Sequence, residues 1–72
     1  MNRSQIEAAI ERKVPFKITM ADGKEYSVPH RDYISLPPKG GFVVVYDDQE
    51  HAFVLSLLTM TGIAYQSEAT AG

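Results

Sequence analysis

Cysteine is absent from this 72-residue chain, as are long apolar runs, any excess of positive charge and any recognisable catalytic signature. The missing cysteine excludes disulfides and thiolate metal sites as devices that compensate for small size, which leaves good packing or self-association. A chain this short buries a smaller share of its surface than a larger domain does, so the core of one copy is marginal. Seven basic against nine acidic side chains give a formal charge of −2. That balance does not build the broad positive field of a non-specific nucleic-acid binder. No segment approaches the length needed to span a bilayer, and Met1 to Glu7 has no apolar leader core. A soluble cytoplasmic protein with no membrane partner is therefore expected.

The strongest local signal runs from Phe16 to Val28. Asp22-Gly23 sits between two alternating segments, and a tight hairpin turn needs the positive φ that these residues tolerate. In the first predicted strand Phe16, Ile18 and Met20 share one face and Lys17 and Thr19 the other. In the second, Tyr26 and Val28 oppose Glu25 and Ser27. Pro29 lacks a ladder donor, so that strand ends there or lies at an edge. Ahead of the hairpin, Ser4 and Glu7 have capping-box spacing, which predicts a helix from about Gln5. Ile6, Ala9 and Ile10 form its apolar stripe, Arg12 and Lys13 suit its carbonyl end, and Pro15 stops it at Val14.

Beyond the hairpin, residues 30–41 contain Pro37-Pro38 and Gly40-Gly41 and read as a long irregular connection. Phe42 to Tyr46 is β-branched and aromatic throughout, the pattern of a strand buried on both faces or centrally placed. Asp47 to Glu50 is a polar turn. His51 to Leu57 predicts a fourth strand, Leu57 to Met60 a single helical turn, and Thr61 to Gln66 a fifth strand. The small polar residues 67–72 are expected to form a flexible tail on a single domain of residues 1–66.

One helix followed by five short strands, with a break before the last, resembles the Sm-like small barrels of the bacterial RNA-chaperone type. The residues that carry the resemblance are Ile6 to Met20, with Val14-Pro15 directly ahead of the strand, Asp22-Gly23-Lys24, and the valines at 43 to 45. The chain is also similar to a group of small uncharacterised bacterial proteins, through Pro15-Phe16, Asp22-Gly23, Val28-Pro29-His30 and Leu36-Pro37-Pro38. The resemblance implies a mainly β fold: an N-terminal helix and a five-stranded, strongly bent antiparallel sheet closed into an Sm-like or SH3-like barrel. It also implies a ring made by pairing the edges of neighbouring barrels. Where that family carries a basic signature resembling Tyr-Lys-His, this chain has Leu55-Ser56-Leu57-Leu58-Thr59, with neither a charge nor a ring.

Several residues invite sharper readings. His30, Arg31 and Asp32 place an imidazole, a guanidinium and a carboxylate in one loop, an acid–base or anion cluster in one reading and a capped turn in the other. His51 with Asp47, Asp48 and Glu50 matches no calcium or zinc spacing and reads as a solvated tip, so no metal is expected. Gly40-Gly41 precedes a strand rather than the helix a phosphate loop requires. The tyrosines at 26, 33, 46 and 65 read as core material before they read as a base-stacking platform. No cofactor is implied and no enzyme is expected. The preferred expectation is a non-enzymatic interaction module that forms a homo-oligomer through strand edges. The alternative is an Sm-like RNA-binding ring with Lys13, Lys17, Lys24, Arg31 and Lys39 as phosphate contacts.

Overall fold

The computed structural model describes residues 1–66. Helix α1 spans Arg3–Glu11, and six strands follow: β1 Phe16–Met20, β2 Glu25–Val28, β3 Ile34–Ser35, β4 Phe42–Tyr46, β5 Ala52–Ser56 and β6 Met60–Tyr65. They form two three-stranded antiparallel sheets, ordered β2-β1-β6 and β3-β4-β5. The mainly β class and the leading helix agree with the sequence reading. The five-stranded bent sheet does not appear: six strands in two sheets replace it, and they do not close into a barrel. The cause lies at Pro29, which cannot donate to a ladder, and in the 3₁₀ turn Arg31–Tyr33 just after it. The chain leaves the first sheet at Val28 and pairs again only at β3, whose two residues face Val45 and Val44 in the second.

The β1–β2 hairpin has the expected register, Phe16 opposite Val28 and Thr19 opposite Glu25. Gly23 takes φ 90° in the turn, and the Asp22 carboxylate accepts from the Lys24 N–H at 2.9 Å. The helix starts earlier than its Ser4 and Glu7 pattern suggests. Asn2 caps it, accepting from the Gln5 N–H at 3.1 Å, while Gln5 Oε1 accepts from the Asn2 N–H at 2.9 Å. Asn2 and Gln5 have the same three-residue spacing as Ser4 and Glu7, and the earlier pair wins. Ser4 then donates to the cap side chain, and Glu7 pairs with Arg3 at 3.2 Å. At the other end Arg12 is the C-cap, and Lys13 turns left-handed at φ 60°.

One apolar cluster joins the helix to both sheets. Ile6 and Ala9 enter it from α1, Phe16, Ile18 and Met20 from β1, and Ile34, Val43, Val45 and Leu55 from the second sheet. Across the gap between the sheets the rings of Tyr26 and Phe53 lie 5.2 Å apart. No polar or charged residue is buried among those described. A 3₁₀ turn, Leu57–Thr59, links β5 to β6 where a single helical turn is expected. Among the described residues no helix is long and apolar enough to cross a membrane. The expected flexible tail, 67–72, lies outside the described residues.

Candidate interaction surface

The two sheets differ on their outer sides. On the first, Lys17 stands between Ser27 and Ala64, and Thr19 between Glu25 and Gly62, giving a mixed polar surface. On the second, Val43 and Val45 point into the core, so Phe42, Val44 and Tyr46 point out. Their partners across the ladder are Ser56, Val54 and Ala52, and Ser35 stands opposite Val44 on the other side. This face carries no charged side chain. Phe42 and Tyr46 are each 37% exposed, Val54 67%, and Leu58, just past β5, 91%. The central position predicted for Phe42 to Tyr46 is correct, and burial on both faces is not, because nothing among the described residues covers the outer one.

The strand edges are also unequal. Edges of sheets are normally protected by shortness, charge or proline, because their free N–H and C=O groups invite another strand. β3 has two residues, and β2 carries Glu25 and runs into Pro29. β5, Ala-Phe-Val-Leu-Ser, and β6, Met-Thr-Gly-Ile-Ala-Tyr, have neither charge nor proline. Both lie at the edge of their sheet.

The polar ends of this surface are built by local hydrogen bonds. Asp47 Oδ1 accepts from the N–H groups of Gln49 and His51, each at 2.9 Å, and Oδ2 lies 2.9 Å from His51 Nδ1. The His51 backbone N–H, and next its ring, hold the Asp47 carboxyl below the usual carboxylate range. A lowered carboxyl pKa gives stability that is present above the unfolded value and lost as pH falls through the folded one. The Asp47 carboxyl carbon should therefore keep its ionised chemical shift through the ordinary carboxylate range and move only on further acidification. Protonation of Asp47 at or above that range would show that these bonds do not hold its carboxylate. Tyr33 Oη donates to Asp48 at 2.5 Å, and that hydrogen bond, then the carboxylate's charge, raises the phenol pKa. His51 with its acidic neighbours thus forms a turn clasp, and no three metal-ligating side chains converge among the described residues.

The residues proposed to contact phosphate do not share one face. Lys17 lies on the outer side of β1, Lys24 in the β1–β2 turn and Lys39 in the loop ahead of β4. Lys13, His30 and Arg31 do come together, around a cleft beside the end of α1. In the His30 to Asp32 cluster, His30 Nδ1 accepts from the Asp32 N–H at 3.4 Å and caps the 3₁₀ turn, while Arg31 reaches the cleft. The tyrosines stand in four separate places: Tyr26 on Phe53, Tyr33 on Asp48, Tyr46 on the outer face of β4, and Tyr65 under Arg12, 4.2 Å from its ring centre. The sequence reading did not single out Phe42, Val44, Val54 and Leu58 as a surface. The available signal was a fully apolar β4 in a chain too short to cover both of its sides. Comparison with family models, with curated proteins and with solved structures found no match to this chain.

Proposed function

We propose that this chain is a non-enzymatic interaction module whose β5 edge pairs with β5 of a second copy. The observation that carries the reading is the β5 edge, five residues with neither charge nor proline to block pairing with another strand. Val54 is the middle residue of β5, so a two-fold axis through it sets Val54 against Val54 and Ala52 against Ser56. The two second sheets then form one six-stranded sheet. Charge favours a second copy as the occupant. Asp47, Asp48 and Glu50 lie at one end of the β4–β5 hairpin, and Lys39 precedes β4 at the other, where the Met1 amino group donates to the Leu57 carbonyl. Antiparallel pairing brings the acidic end of each copy to the basic end of the other.

Sedimentation over a wide concentration range tests this, with a dimer expected. A strict monomer throughout overturns it.

A second reading keeps the order of elements in view. The two sheets are then an open relative of the Sm-like small barrel, with β5 of one copy pairing with β6 of the next to close a ring that binds RNA. The helix ahead of β1 and the 3₁₀ turn ahead of the last strand support it. Ring-sized mass, with binding of short U-rich or A-rich RNA that weakens steeply with salt, is its expected result. No binding at low salt removes it.

A further inference from the structure

We propose that the cleft at the end of α1 binds a small amphiphilic anion, a carboxylate or phosphate group carried on an apolar chain. The cleft has a volume of about 310 Å³ and is lined by Ile10, Lys13, Val14, Phe16, His30 and Arg31. Ile10, Val14 and Phe16 supply an apolar floor, and the other three residues supply cationic or hydrogen-bonding groups. No acidic side chain lines it.

Lys13 and Arg31 form no ion pair among the described residues. Arg3, by contrast, bonds to Glu7 and to the Pro37 carbonyl, and Arg12 lies over the Tyr65 ring, while Lys17, Lys24 and Lys39, also without ion pairs among the described residues, do not line the cleft. The carbonyl end of α1 answers part of the Lys13 charge, but the Arg31 guanidinium has no acidic side chain in the lining, which matches an anionic ligand.

The backbone points the same way. Lys13 takes φ 60° at the helix end, a position that glycine fills without steric cost. The residue at this left-handed position is one of those that line the cleft. His30 is oriented as well, edge-on to the Tyr33 ring at 4.7 Å. With Nδ1 accepting from the Asp32 N–H, the proton of the neutral ring stands on Nε2, which is then a donor. The Asp32 carboxylate, 3.6 Å from Nδ1, is largely exposed and is not part of the lining.

The test is an NMR titration of the full isotope-labelled chain with octanoate, octyl phosphate, octanol and inorganic phosphate, each below its micelle-forming concentration where it has one. Octanoate or octyl phosphate should give saturable shifts at residues 10–16 and 30–31, and the tighter of the two identifies the head group. Octanol and inorganic phosphate should bind roughly tenfold more weakly, since each supplies half of the recognition. Lys13→Gln and Arg31→Gln should each weaken binding several-fold. Lys13→Gly, which relieves the backbone and so folds at least as well, should weaken it too. Octanol binding as tightly as octanoate overturns the proposal. So do shifts centred on Val54 and Leu58, or affinities unchanged in all three variants.

Discussion

Val54→Lys is expected to dissociate the assembly while leaving each copy folded. Val54 is 67% exposed and points away from the core, so a lysine there meets solvent within its own chain and removes no packed atom. At the interface the same change is severe. Two ammonium groups face each other across the two-fold axis where two apolar side chains stood. Like charges so placed cost several kcal/mol, enough to raise the dissociation constant on the order of 100-fold or more. Lysine is also a residue with which edge strands are commonly protected. Sedimentation reads the mass, and denaturation of the separated copies reads the fold. Thr61→Lys on β6 sorts the two modes of pairing: it leaves a β5-to-β5 dimer intact and breaks a β5-to-β6 ring. A Val54→Lys protein that keeps the mass of the unsubstituted assembly rules out both.

Ile18→Ala should produce the largest loss of stability. Ile18 is 0% exposed at the middle of β1, the central strand of its sheet, with Tyr26 and Ile63 beside it in register. Cutting a buried isoleucine back to alanine removes transfer free energy and leaves a cavity, together about 2–5 kcal/mol. Folded domains hold roughly 0.05–0.15 kcal/mol per residue, so a chain of this length loses much of its margin. The denaturation midpoint should fall sharply with little change in slope. A loss below about 1 kcal/mol would mean that the surrounding side chains close the cavity, against the dense packing expected of protein interiors.

What could be read from sequence divides along the range of the interactions involved. Asp22-Gly23 and the alternation on either side of it gave the hairpin and its inward residues, because turn and pleat are local. The helix was equally plain, but its start was placed by Ser4 and Glu7, and the hydrogen bonds between Asn2 and Gln5 put it earlier. β3 escaped notice because two residues carry no periodicity and owe their strand to Val44 and Val45, which lie nine and eleven residues beyond their partners Ser35 and Ile34. The cleft was hidden for the same reason. Lys13 and Arg31 were singled out one by one, and only the return of the chain after β2 sets them side by side. The exposed apolar face was missed although its signal was present: β4 read as buried on both faces or centrally placed, and among the described residues only its central position holds.

The pairing of β1 with β6 sets the order in which this molecule can assemble. Phe16 lies opposite Tyr65, and the Gln66 N–H donates to the Pro15 carbonyl at 2.9 Å, so the first strand completes its sheet with the last. The β1–β2 and β4–β5 hairpins need only nearby chain and can form early, whereas closing the long loop between β1 and β6 carries an entropic cost that delays it. During synthesis β1 therefore waits with one flank unpaired until β6 has emerged. Over that interval the edge most open to the wrong partner is the one that becomes the middle of the finished sheet.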